Sequence, residues 1–184
     1  MKLKYFVLAG AVLLIASRLD FSYRAPTVAP RASAPTATVT RNLLAGRASV
    51  VDGDTLILED RRRIRLFGID APESAQTCLD GTGQRYRCGA RAAEALASLL
   101  GRNGRVTCEA RDLDRYGRTV AECRTDAGTD LNREMVRTGW AIDYQRYSRG
   151  RFGAEQRDAQ IARRGIWVGS FDAPAQWRKM HHAK

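Results

Sequence analysis

From Arg47 onward, apolar and polar positions along the chain fall into short, strand-like runs. Ala48-Ser49-Val50-Val51 alternates, Asp52-Gly53-Asp54 marks a turn, and Thr55-Leu56-Ile57-Leu58-Glu59 resumes the alternation. A charged turn at Asp60-Arg61-Arg62 separates these from Arg63-Ile64-Arg65-Leu66-Phe67-Gly68-Ile69. Each run is short, β-rich and bounded by turn formers, as expected of strands. Pro72 stops the third run because it has no N–H to donate. The spacing then changes. Ala92, Leu96, Leu99 and Leu100 recur at helical intervals and predict a helix over 90–100, stopped by Gly101. Arg105–Glu109 and Thr119–Cys123 are two further strands around a turn at Asp114–Gly117. Asp130 is placed to cap a second helix that carries Leu131, Met135 and Val136 and ends at Gly139. A third helix is expected from about Gly153 to Arg164, with Gly165 as its stop and Trp167 after it as a core residue. Strands first, one helix between them and two helices after them predict an α+β domain, a small β-barrel packed with three helices.

The first 40 residues are of a different kind. Lys2 and Lys4 precede an apolar run from Tyr5 to Ala16. That run suits the apolar region of an export signal better than a full membrane span, which needs roughly 20 residues. Residues 1–23 are therefore expected to be a signal peptide or a short N-terminal membrane anchor. Residues 24–45, with Pro26, Pro30 and Pro35 among Ala, Thr and Ser, hold too little apolar surface to offset their ordering entropy and are expected to be a linker. The domain is placed at residues 46–170 and a basic C-terminal tail at 171–184. This organisation predicts an exported protein, periplasmic or secreted, with a membrane tether if the segment is retained.

The 184-residue chain has a formal net charge of +11, and seven of those charges lie on residues 41–184. A positive field on the folded part raises the local concentration of polyanions, so nucleic acid is the expected partner. The four cysteines fit export. Their number is even, they form no Cys-x-x-Cys pair, and the two histidines, His181 and His182, lie at the extreme C-terminus, which argues against zinc. Cys108 and Cys123 fall on two apolar runs flanking a turn, where a hairpin would set them opposite each other. Cys78 and Cys88 would then close a short loop.

Charge alone suggests binding, but the acids among these bases suggest chemistry. Asp52-Gly53-Asp54-Thr55, then Arg65 through Asp70-Ala71-Pro72-Glu73, then Asp114-Arg115-Tyr116-Gly117-Arg118 bring carboxylates and arginines together in short motifs. In this order, and continued through Asn132–Gly139 to Gly165-Ile166-Trp167, they resemble the staphylococcal thermonuclease family over about residues 46–168. The resemblance implies a five-stranded OB-type barrel with three helices. It also implies a calcium-dependent phosphodiesterase that cuts DNA and RNA and leaves 3′-phosphate ends. By that likeness Asp54 and Asp70 would hold Ca²⁺ with the backbone carbonyl of Ala71. Glu73 would be the general base, and Arg65 and Arg118 would bind the phosphate and stabilise the transition state. Ala71 stands where the family often has Thr, so a hydroxyl is lost there while a carbonyl ligand is kept.

The residue types suit that chemistry independently. Ca²⁺ takes oxygen ligands. A carboxylate can accept a proton from water. Arginine binds phosphate bidentately and stays charged. Tyr116, Tyr144 and Tyr147 are candidate base-stacking residues at the substrate. No base-reading pattern is evident, so weak sequence specificity is expected, in a monomer. The competing expectation is a non-catalytic OB-type nucleic-acid-binding module of the cell envelope.

Overall fold

The computed structural model describes residues 42–181. The expected export segment and most of the expected linker lie outside them. Five strands close a barrel in the order β1-β2-β3-β8-β7. They are β1 (Leu43–Asp52), β2 (Thr55–Leu58), β3 (Arg63–Leu66), β7 (Arg105–Leu113) and β8 (Thr119–Thr125). Four short strands complete the set: β4 (Ile69–Asp70), β5 (Cys78–Leu79), β6 (Arg85–Tyr86) and β9 (Ile142–Asp143).

β1 is long because it serves two neighbours. Its first half pairs with β7, Leu44 opposite Cys108, and its second half pairs with β2, Val50 opposite Leu56. A register shift between Val50 and Asp52 bends it at the turn into β2. β3 closes the ring by running parallel to β8, with Arg65 opposite Val120. β1 begins at Leu43, inside the stretch expected to be linker, and its first residues carry half of the closure.

Alternation decides what fills the barrel. Leu56, Leu58, Ile64, Leu66, Val106 and Ala121 point inward and are buried. Cys108 and Cys123 also point inward, stand opposite each other in the β7–β8 register and form a disulfide. The second disulfide joins Cys78 to Cys88, so both expected pairings are present.

Helix α1 (Cys88–Leu100) buries Ala92, Leu96 and Leu100, and α2 (Leu131–Arg137) buries Leu131, Met135 and Val136. The expected cap is present, with the Asp130 carboxylate accepting from the Arg133 N–H at 3.1 Å. Two helices join the expected three. A single turn, α3 (Gln145–Ser148), precedes α4 (Gly153–Ile161), and α5 (Pro174–His181) follows a 3-10 turn at Gly165–Val168. The barrel class stands, but the count of three helices was too low, and residues 174–181 within the expected tail form a helix. Ile166, not Trp167, is the fully buried residue of the 3-10 turn. Trp167 is half-buried and packs edge-on against Phe171, their ring centroids 4.9 Å apart.

One polar side chain in the core couples helix to barrel. Asn132 on α2 is fully buried. Its amide donates to the Phe67 carbonyl at 2.9 Å and the Ala121 carbonyl at 3.2 Å, and its oxygen accepts from the Cys123 N–H at 3.0 Å. Asn132→Ala leaves the Phe67 carbonyl and the Cys123 N–H without this partner, while the Ala121 carbonyl keeps the Phe67 N–H at 2.8 Å, and each buried group left unmet costs about 1–3 kcal/mol. The expected loss in equilibrium denaturation is at least about 2 kcal/mol. A loss within the scatter of ordinary surface substitutions would show that the amide does not fasten α2 to β8.

Candidate active site

The acids and arginines singled out in the sequence converge where the β1–β2 turn meets the end of β3 and β4. Gly53 sets how closely they approach. A Cβ at that position would stand 2.7 Å from the Cβ atoms of both Ala71 and Ala92, so the Asp52-Gly53-Asp54 turn lies directly on the strand exit and on α1. Asp54 and Asp70 are both buried. Asp54 Oδ2 accepts from the Ala71 N–H at 2.9 Å, and Asp54 Oδ1 accepts from the Thr55 hydroxyl at 3.2 Å.

Arg65 bridges the two acids. Its Nη2 donates to Asp70 Oδ1 at 3.0 Å and to the Ile69 carbonyl at 3.2 Å. Its Nη1 rests against Asp54 Oδ1 in a charge contact without hydrogen-bond geometry. Burial pulls the Arg65 guanidinium below its ordinary value, and the neighbouring Arg118 acts in the same direction while the Asp70 charge opposes it. Arg118 therefore lies within electrostatic reach of Arg65. It is held by Asp114, whose Oδ2 accepts from Arg118 Nε at 2.7 Å while Oδ1 accepts from the Arg118 and Tyr116 backbone N–H groups. Burial raises the Asp114 carboxyl, but these bonds outweigh it and keep the group below the usual carboxylate range.

Glu73 is partly exposed and does not pair with Arg65 or Arg118. Its contact is with Arg178 on α5, whose Nη1 donates to Glu73 Oε1 at 2.7 Å. The same Nη1 donates to Asp70 Oδ1 at 2.9 Å, and Nη2 donates to Asp70 Oδ2 at 3.1 Å. Burial works against the Arg178 charge, but the bonds to Asp70 and Glu73 prevail and raise it above the ordinary arginine value. Sequence reasoning missed Arg178 because residues 171–184 read as a solvated basic tail. The available signal was Pro174, which favours the first position of a helix, with Trp177 and His181 one turn apart and stacked at 4.0 Å.

Gln76 was missed as well. It is fully buried. Its side-chain oxygen accepts from the Glu73 N–H at 3.2 Å, its own N–H donates to the Glu73 carbonyl at 2.7 Å, and its side-chain nitrogen donates to the Asp172 carbonyl at 2.7 Å. It ties the Glu73 loop to the segment leading into α5. The Cys78–Cys88 disulfide and Gly89 hold that loop from the other side; a Cβ on Gly89 would fall 1.8 Å from the Glu73 carbonyl oxygen.

The three tyrosines are spread around this centre. Tyr116 is exposed beside Arg115 and Arg118, whose guanidinium carbons lie 4.8 and 5.5 Å from its ring centroid. Tyr147 is exposed, Tyr144 is half-buried, and their rings meet edge-on at 5.0 Å. A separate cleft of about 530 Å³, lined by Asp143, Gln156, Trp167, Phe171 and Gln176, contains none of the predicted site residues. Asp143 is buried there, and neither of its carboxylate oxygens has a hydrogen-bond partner among the described residues.

Among the described residues, no three His, Cys, Asp or Glu side chains form a ready-made metal cluster. The donor chemistry nevertheless suits a hard divalent cation. Asp54 and Asp70 already share one cationic group, the Arg65 guanidinium, and both offer carboxylate oxygens. Ala71 engages Asp54 through its N–H.

The family described as staphylococcal nuclease homologue matches residues 63–169. The chain is 40% identical over 122 residues to the succinoglycan biosynthesis protein ExoI of Rhizobium meliloti, covering 66% of this chain and 63% of that protein. It is 35% identical over 126 residues to the probable staphylococcal-like nuclease CAN1 of rice, covering 67% of this chain and 34% of the other. It is 34% identical over 135 residues to an uncharacterized endonuclease of Escherichia coli O157:H7, covering 70% and 80%. The chain thus spans less than two-thirds of the first two relatives. With the barrel and the acid–arginine centre in place, the match over residues 63–169 makes this chain a member of the staphylococcal nuclease family.

Proposed function

We propose that the protein is a calcium-dependent phosphodiesterase that hydrolyses DNA and RNA with little sequence preference and leaves 3′-phosphate ends. The observation that carries this reading is the Arg65 bridge between two buried carboxylates, with Glu73 joined to the same Asp70 through Arg178. Asp54 and Asp70, with the Ala71 carbonyl, would hold Ca²⁺, which supplies Lewis-acid stabilisation of the phosphate charge when bound.

The chain's own residues do the rest. Arg65 and Arg118 present two guanidinium groups to a phosphodiester and oppose the negative charge that builds on its oxygens. Glu73 takes a proton from the attacking water as the P–O bond to that water forms. The bond from phosphorus to the 5′ oxygen breaks, and that oxygen takes a proton from solvent. The products are a 3′-phosphate and a 5′-hydroxyl. Tyr116, Tyr144 and Tyr147 offer ring faces to unpaired bases. Stacking does not read base identity, which supports weak specificity.

The two disulfides support an oxidising compartment, and so an exported protein with residues 1–23 as signal or anchor. We take the working form to be a monomer. The second reading, a binding module without catalysis, draws on one observation: both Asp70 and Glu73 are engaged by Arg178. Digestion of single-stranded DNA and RNA oligonucleotides, with mass analysis of the fragments, separates the readings. Fragments ending in 3′-phosphate are expected from both substrates. Fragments ending in 3′-hydroxyl would contradict the direction of attack, and retention of the probe without cutting would favour the binding module.

A further inference from the structure

We infer that helix α5 is a latch in which Arg178 and a divalent cation compete for Asp70, so that Arg178 sets metal affinity and metal binding frees Glu73. This rests on the proposal that Asp70 is a metal ligand and Glu73 the base. The geometry is of one guanidinium on two carboxylates. Arg178 Nη1 reaches Asp70 Oδ1 at 2.9 Å and Glu73 Oε1 at 2.7 Å, and Nη2 reaches Asp70 Oδ2 at 3.1 Å. Both oxygens of Asp70 are therefore engaged by the α5 fork, and Oδ1 also serves Arg65. A cation arriving at Asp70 meets an occupied carboxylate and the positive charge of Arg178 beside it. The two cations repel at such range, and the bidentate bond must loosen for the metal to enter.

α5 is built so that it can leave. Its foot is fixed, because Gln76 holds the Asp172 carbonyl at 2.7 Å and Ser170 exchanges backbone bonds with Leu79 at 2.9 and 3.1 Å. Beyond that foot Pro174 is buried, and Ala175 and Trp177 are half-buried. A short terminal helix buried mainly near its start opens more readily than the barrel. The Arg178 bonds to Asp70 and Glu73 help to hold α5 against the barrel, and they are the contacts a cation would replace. Because Gln76 also carries the Glu73 backbone, the foot of the latch and the base share one support.

Linkage makes the inference testable from both ends, since a ligand that is weakened by a contact must weaken that contact by the same factor. Ca²⁺ alone is titrated calorimetrically into the wild-type protein, Arg178→Gln and Arg178→Lys, with thermal melts confirming that each is folded. Hydrogen exchange over residues 170–181 of the wild type is followed with and without Ca²⁺. Arg178→Gln is expected to bind Ca²⁺ at least about tenfold more tightly than wild type. Arg178→Lys is expected to fall between them, because lysine keeps the charge but loses the fork. In the wild type, Ca²⁺ is expected to speed exchange across α5. Equal or weaker binding by Arg178→Gln, or exchange that Ca²⁺ leaves unchanged or slows, overturns the latch while leaving the metal site standing. Absence of Ca²⁺ binding in all three proteins overturns the metal site and the latch with it.

Discussion

Glu73→Gln is expected to slow phosphodiester cleavage by about 10²–10⁴-fold, the usual contribution of a positioned general base. The amide keeps the size of the side chain and loses only the charge and the proton-accepting role. Glu73 is partly exposed, and its side chain's ion pair is with Arg178, so the fold is expected to tolerate the change. Arg178 keeps its two bonds to Asp70. Substrate affinity is expected to hold within a few-fold, because Arg65 and Arg118 remain to meet the phosphate. Single-turnover rates at saturating substrate, beside fluorescence anisotropy of a labelled oligonucleotide, separate chemistry from binding. An unchanged rate with intact binding would remove Glu73 from the reaction.

Arg65→Ala is expected to cost stability as well as activity. Among the described residues, Arg65 is the one guanidinium that touches both Asp54 and Asp70, and all three side chains are largely buried. Removing one partner of a buried ion pair strands the other charge, typically at about 3–5 kcal/mol. Here two carboxylates lose their bridge, although Arg178 still reaches Asp70. A loss of about 3–5 kcal/mol is therefore expected in denaturant unfolding with chelator present. Cleavage is expected to fall by at least about 10²-fold, as for loss of a preorganised electrostatic contact. Added Ca²⁺ is expected to recover more stability in the variant than in the wild type, because a bound cation would replace part of the lost positive charge. Stability within about 1 kcal/mol of wild type, measured without metal, would show that Arg65 does not hold the acid pair together.

The parts of this molecule that a sequence reveals are those governed by near neighbours. The runs at 48–51, 55–59 and 63–69 became β1's second half, β2, β3 and β4 because alternation along a strand directly sets which side chains enter a barrel. Asp130 was readable as a cap because capping acts over three residues. The Cys108–Cys123 pair followed from two runs flanking one turn. The Asp54, Arg65, Asp70 group was readable as motifs, and the structure brings those three into direct contact.

What stayed hidden depends on partners far along the chain. Leu43–Gly46 has no polar alternation and follows a Pro- and Ala-rich stretch, so nothing local shows that it pairs with Val106–Glu109. α5 is too polar to announce itself, and its arginine gains its role from carboxylates 105 and 108 residues away. Gln76 reads as an ordinary loop residue until its bond to the Asp172 carbonyl, 96 residues on, is seen. Trp167 was expected in the core; the 3-10 turn buries its smaller neighbour Ile166 fully, and Trp167 packs half-buried against that cluster. The pairing of Glu73 with Arg178, and not with Arg65 or Arg118, was equally beyond any local pattern.

The acid–arginine centre is expected to hydrolyse phosphodiesters when a divalent cation joins it. The most direct measurement is cleavage of single-stranded DNA by the purified protein in Ca²⁺, repeated after chelation and again after Ca²⁺ is restored. Cutting is expected to stop with chelator and to return with the metal. Cutting that is indifferent to chelator, or tight salt-sensitive binding with no cutting under any condition, would contradict this expectation.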